Sequence, residues 1–225
     1  MKKIKKTNAM IGLHSHTLFS DGALLPSELI RRAEAKGYEA FALTDHVDSS
    51  NIDFVLPRIV KVCKVLNRSW DILAIPGVEI THAPVQEIKK LVRFARRNGA
   101  KIVLVHGQTV SEPVLEGTNR AAIEAGCDIL AHPGLISMED VRLAKKMGVC
   151  LELTTRKNHA SPNRRLYNMA KSVGAKLVLN TDAHDDCDVV TRAQAVRMLK
   201  NIGISSLCIE EVFDNSRKLV KRIKG

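Results

Sequence analysis

Short apolar runs alternate with amphipathic stretches along the whole chain. The runs lie at 11–13, 40–43, 73–78, 102–105, 129–131, 149–153 and 177–179. Between them, over 27–36, 54–67, 85–98, 119–125, 138–147 and 163–173, apolar residues recur at the three- and four-residue spacing of one helix face. Gly37, Gly99, Gly126, Gly148 and Gly174 stand where these helices should stop, because glycine readily adopts the left-handed conformation that ends a helix. Seven strands, each followed by a helix, predict a parallel sheet. Beyond the seventh come a helix at about 193–201, then Gly203, then a basic helix at 209–225.

An open doubly wound sheet and a closed barrel share this alternation, and the polar residues choose between them. Every run but the sixth leads directly into His, Asp or Glu: His14, Asp45 with His46, Glu79, His106, His132, and Asp182 with His184. The sixth offers Glu152 and then Arg156. Only a barrel gathers the C-terminal ends of all its strands around one mouth, where barrel enzymes keep their chemistry.

Composition narrows the class. With 225 residues and 45% hydrophobic content, the chain is long enough to bury one core, so 1–225 is expected to be a single domain with a short basic tail at 1–8. The apolar run after the N-terminal lysines is too short for a signal peptide, and no stretch approaches the roughly 18 apolar residues of a membrane span. Five cysteines without a C-x-x-C pair fit a reducing compartment, so no membrane contact and a cytoplasmic location are expected. The net charge of +11 suggests nucleic acid, but its placement weighs against that partner. Lys2, Lys3, Lys5 and Lys6 at one end, and Arg217, Lys218, Lys221, Arg222 and Lys224 at the other, carry nearly all of it. Two solvated basic ends on a near-neutral body therefore favour a small phosphorylated partner over nucleic acid.

His14-Ser15-His16 places two imidazoles at i and i+2 on an extended segment, so both point the same way and can share one metal. Asp182-Ala183-His184 repeats the spacing. One such pair is weak evidence, since histidines at strand ends are often hydrogen-bonded loop features, but six of the eight histidines gather at such ends. Glu79 is the carboxylate of the third strand, and a carboxylate can bridge two cations where a histidine cannot. Ser20-Asp21-Gly22 reads equally as an ordinary turn. Arg156, His159, His82 and the loop 112–119 follow strands six, three and four, on the same face. Arg156 suits a phosphate oxygen through its forked donors, or is a solvated loop charge; His82 is near the site or structural.

The order H-x-H, Thr44-Asp45-His46, Gly77-Val78-Glu79, His106, His132-Pro133-Gly134 and Asp182-Ala183-His184 resembles the polymerase and histidinol phosphatase (PHP) family. The resemblance runs from His14 to about His184. It implies a distorted seven-stranded parallel (β/α)7 TIM-like barrel holding two or three Zn, Mn or Fe ions. By this resemblance His14, His16, Glu79 and Asp182 hold the first metal. Glu79, His106 and His132 hold the second, and Asp21, His46 and His184 the third. Asp45 orients its neighbours, and Glu79, Asp182, His184 and Arg156 are expected to serve catalysis, with Arg156, His159 and His82 towards substrate. The expected activity is histidinol-phosphatase-like hydrolysis of a phosphate monoester by metal-activated hydroxide. The alternatives are a phosphodiesterase or exonuclease, and a non-catalytic metal-binding subunit.

Overall fold

A computed structural model describes residues 9–224. The expected tail at 1–8 and Gly225 lie outside the described residues. Eight parallel segments alternate with helices: β1 (Met10–Gly12), α1 (Pro26–Ala35), β2 (Tyr38–Leu43), β3 (His46–Val47), α2 (Ile52–Ser69), β4 (Leu73–Ile80), α3 (Val85–Arg97), β5 (Ile102–His106), α4 (Thr118–Ala125), β6 (Ile129–Ala131), α5 (Met138–Met147), β7 (Cys150–Thr154), α6 (Asn163–Val173) and β8 (Leu177–Asn180). A short 3-10 turn at Asp186–Asp188 precedes α7 (Arg192–Asn201) and α8 (Ser206–Lys224). The last helix thus begins earlier than its basic residues suggested.

The sheet order is β1-β2-β4-β5-β6-β7-β8, with β3 paired only to β4. The second strand is broken in two. β2 pairs with β4 through Ala40 to Leu43, and β3 resumes the pairing further on, with His46 opposite Glu79. The result is a seven-stranded, nearly closed barrel and a single domain. No ladder joins β1 to β8 among the described residues. That seam is closed by a bridge between Ser15 and Ala183, by the His16 amide donating to the Ala183 carbonyl at 2.8 Å, and by the Leu13 amide donating to Asn180 Oδ1 at 2.9 Å. Helix α8 packs on both β8 and β1 across it.

Strand residues two apart face the same side, and the inward lines divide the barrel into two storeys. Ile75, Ile102, Leu104, Ile129, Cys150 and Val178 fill the lower storey, and Leu219 and Val220 of α8 join that cluster. Two residues beyond the last apolar member, the same lines present Glu152 on β7 and Asn180 on β8; from Ile75 the line runs through Gly77 to Glu79, and from Leu104 to His106. The lower storey, apolar and plugged by α8, supports an upper one of buried acids, amides and imidazoles. In the larger cluster between sheet and helices, Ile80 of β4 is joined by Leu29 and Ile30 of α1 and Leu56 and Ile59 of α2, all fully or almost fully buried, each worth about 1.5–3 kcal/mol relative to exposure. Among the described residues, no helix is long and apolar enough to cross a membrane.

Part of the C-terminal basic run is paired with acids. In α8, Arg222 reaches Asp128 at 2.5 Å, and Arg217 pairs with Asp214. Asp128 also accepts from the Val103 amide at 2.9 Å and faces Arg96 at 3.1 Å. These arginines are anchored to acids, one of them buried, that lie far from them or outside the basic run in the sequence. The body carries its own concentration of charge on α3.

Candidate metal centre

At the mouth, His14 and His16 lie on the extended segment after β1 and are fully buried. His14 Nε2 stands 3.1 Å from His16 Nε2, 3.3 Å from Glu79 Oε2 and 3.5 Å from Asp182 Oδ1. His16 Nε2 is 3.6 Å from Glu79 Oε2 and 3.1 Å from Asp182 Oδ1. Four ligands placed tetrahedrally at 2.0–2.1 Å from an ion lie about 3.3–3.4 Å apart. Five of the six edges among these atoms are close to that length.

Burial sharpens the fit. Both Glu79 oxygens, His16 Nδ1 and His132 Nδ1 are buried with no aligned hydrogen bond, although His46 Nδ1 lies 2.8 Å from Glu79 Oε2. A buried carboxylate without hydrogen bonds is costly unless a cation neutralises it. Glu79 occupies the centre of the cluster, its Oε2 towards His14, His16 and His46 and its Oε1 3.8 Å from His132. Donor atoms within 4.8 Å of one another also occur in the sets His14, Glu79 and His132; His106, His132 and His159; and His16, Asp21, His46 and His184. The structure brings all nine proposed ligands together.

Asp21 arrives on a tight loop. The Gly22 amide donates to the Thr17 carbonyl at 3.0 Å, and a Cβ on Gly22 would sit 2.3 Å from the His16 carbonyl oxygen. The turn therefore presents the Asp21 carboxylate at 3.2 Å from His184 and 3.6 Å from His46. His132 and Asp182 hold positive φ values of 28° and 50°, each a strain of order 1–3 kcal/mol that clusters at functional sites.

Supporting groups aim these side chains. Glu152, fully buried within β7, lies 2.9 Å from His14 Nδ1 and accepts from Asn180 at 2.8 Å, leaving His14 Nε2 to face the cluster. Asp45 accepts from the Thr17 amide at 2.7 Å, the Thr17 hydroxyl at 2.9 Å and the Ser20 hydroxyl at 2.9 Å, so it pins the loop that carries His16 and Asp21. Arg156 is half-buried, with Nη1 3.1 Å from Asp188 and Nε 3.7 Å from Asp182. It lines a cleft of about 320 Å³ with Lys157, Asn158, Thr181 and Asp188. His82 is exposed at the rim, 3.1 Å from Glu112. His159 is buried and stacks on His132, centroids 4.2 Å apart and planes at 9°.

The charges are strongly coupled. Burial works against charge on His14, but Glu152, Glu79 and Asp182 outweigh it and hold the imidazole well above its ordinary value. His46 is likewise raised, with Glu79 and Asp21 overcoming burial. Burial would raise Glu79, yet His14 and His46 keep it well below the usual carboxylate range. Asp182 is lowered against burial by His14 and His16. His16 falls to about 3 through burial and the neighbouring His46, while burial raises Glu152.

Sequence reasoning underused Glu152 and marked Glu112 only as the start of the loop 112–119. A lone acid in the apolar strand Cys150–Thr154, on the inward line with Cys150 and Thr154, was a usable signal for Glu152. Glu112 lies in an irregular loop with no pattern to mark it.

Comparison with known proteins agrees with this architecture. Residues 12–139 match the PHP domain. An uncharacterized protein of Methanocaldococcus jannaschii is 39% identical over 213 residues, covering 93% of this chain and 98% of that one. A probable phosphatase of Acetivibrio thermocellus is 24% identical, covering 87% and 88%. The Bacillus subtilis DNA polymerase/3'-5' exonuclease PolX is 28% identical over 77% of this chain but only 34% of its own length. A chain of an archaeal ribonuclease P solved with mature tRNA shares the fold, with TM-score 0.70, 19% identity, and coverage of 94% and 90%. With its motifs in order, its barrel nearly closed and its histidines and carboxylates gathered at the mouth, the chain belongs to the PHP domain family.

Proposed function

We propose that the chain hydrolyses a small phosphate monoester with two or three divalent ions bound at the barrel mouth. The observation that carries this reading is the buried His/Asp/Glu cluster centred on Glu79, with an arginine at its edge. His14, His16, Glu79 and Asp182 would hold one ion, Glu79, His106 and His132 a second, and Asp21, His46 and His184 a third. Bound ions supply Lewis acidity, lowering the pKa of water towards roughly 7 and neutralising charge on phosphoryl oxygens.

The chain's own groups do the rest. Glu152 fixes the His14 ring, and Asp45 fixes the loop of His16 and Asp21. Arg156, 3.7 Å from Asp182, directs its remaining donors towards a phosphoryl oxygen, and the cleft beside it suits a small leaving group. Burial keeps water out and strengthens each electrostatic contact. The small phosphorylated partner and the cytoplasmic location belong to the same proposal. The test is a panel of phosphomonoesters and phosphodiesters assayed with Mn²⁺, Zn²⁺ and Fe²⁺, with Glu79→Gln as control. Monoester turnover that disappears together with bound metal in Glu79→Gln is expected; full turnover by a metal-depleted Glu79→Gln protein would refute the centre.

A second reading, phosphodiester hydrolysis in nucleic acid, is favoured by one observation. Gln86, Lys89, Lys90, Arg93, Phe94 and Arg97 line one exposed depression along α3, at spacings of three and four that form a single stripe. From 86 to 97 that stripe is about 16 Å long, enough to follow several backbone phosphates.

A further inference from the structure

Glu112, on the loop that follows β5, faces three imidazoles. Its Oε2 lies 3.1 Å from His82 Nε2 and 3.3 Å from His106 Nε2, and its Oε1 lies 3.3 Å from His159 Nε2. His106 Nδ1 is 3.1 Å from the Gly107 carbonyl oxygen. A carbonyl only accepts, so the ring proton of a neutral His106 sits on Nδ1 and Nε2 presents a lone pair. The His159 ring is oriented by its Nδ1, 2.8 Å from the hydroxyls of Thr109 and Ser111, so that Nε2 faces Glu112. The His106 lone pair at 3.3 Å from a carboxylate oxygen repels it unless a positive charge lies between them. The same 3.3 Å is about the edge of a tetrahedron around an ion bonded at 2.0–2.1 Å. The His106, His132 and His159 donor atoms already stand within 4.8 Å of one another.

We propose that His159 and Glu112 join His106 and His132 as ligands of one divalent ion, and that this ion ties down the loop 108–117. Neither residue belongs to the motifs that carry the family resemblance. Glu112 is about one-third exposed at the rim, whereas His159 is buried against His132, so the ion position is closed by a side chain from a surface loop. His82 sets the carboxylate's direction from outside. Loss of the ion frees the loop and opens that face of the mouth.

The inference rests on the mouth being a metal centre, and the experiment separates the two ideas. Metal-free wild type, Glu112→Ala and His159→Ala are titrated with Zn²⁺ by calorimetry, bound metal is counted by elemental analysis after desalting, and cleavage of the loop by a protease is followed with and without Zn²⁺. Circular dichroism confirms that each variant is folded. The wild type is expected to hold two or more ions, with Zn²⁺ protecting the loop. Each variant should lose one ion or hold it at least about tenfold more weakly, and Zn²⁺ should no longer protect the loop in Glu112→Ala. Variants with wild-type stoichiometry, affinity and loop protection would overturn the inference and leave the metal centre standing. A folded wild type that takes up no ion would overturn both.

Discussion

His14 and His46 are held above their ordinary pKa by the carboxylates around them, and burial does not reverse this. In the metal-free protein these rings therefore hold their protons to higher pH than a free imidazole does, on side chains that a metal requires unprotonated. The sign follows directly: uptake expels protons, so observed affinity rises with pH until the raised values are passed, by about tenfold per unit for each proton displaced. Calorimetric titration with Zn²⁺ in two buffers of different ionisation enthalpy should yield different observed heats. Equal heats, with affinity flat between neutral and mildly alkaline pH, would contradict the charge state assigned here. At this scale the sequence was informative wherever a candidate ligand stood at the end of a strand. His14, Glu79, His106 and His132 could be picked out by position alone. Glu112 could not, because its partners His82, His106 and His159 are brought to it only by the closing of the barrel.

The glycines that predicted helix ends at 126, 148 and 174 do adopt left-handed φ values of 72°, 73° and 73° as the caps of α4, α5 and α6. Such stops are local, so the sequence reveals them. The break between β2 and β3 is different. Thr44-Asp45-His46 reads as the end of a strand, yet pairing with β4 resumes at His46; the Asp45 carbonyl accepts from the Glu79 amide while its side chain holds Thr17 and Ser20. Nor does amphipathy reveal what a helix covers. The apolar face of α8 plugs the barrel floor through Leu219 and Val220, at the end opposite the metal ligands. Truncating Leu219 to Ala should leave a cavity there and lower stability by about 2–5 kcal/mol. Because the two storeys are distinct, metal stoichiometry at room temperature should not change. Urea denaturation and elemental analysis on the same preparation test both halves. Parallel loss of metal would show that the floor and the mouth are one cooperative unit.

Over the whole molecule, the partners of the charged side chains are what the sequence leaves open. The fold pairs Arg222 with Asp128 and lays Lys89, Lys90, Arg93 and Arg97 along one face of α3. That face runs down the outer wall from the β4 end that carries Glu79. If substrate is a small monoester, it is held at the mouth by ions and Arg156, and the stripe is irrelevant to turnover. Replacing all four cations by Gln should then leave kcat/KM for the best monoester within about twofold, because surface changes away from a site rarely matter more. A single-stranded nucleic acid lying on the stripe would behave otherwise. Four phosphate contacts give a slope of log affinity against log salt near −3, so a fourfold rise in salt weakens binding roughly fiftyfold. The variant would lose most of that slope. The expected outcome is unchanged monoester hydrolysis and weak, salt-insensitive action on oligonucleotides by both proteins. Oligonucleotide cleavage that outruns every monoester, falls steeply with salt in the wild type and loses that dependence in the variant would replace the monoesterase with the phosphodiesterase.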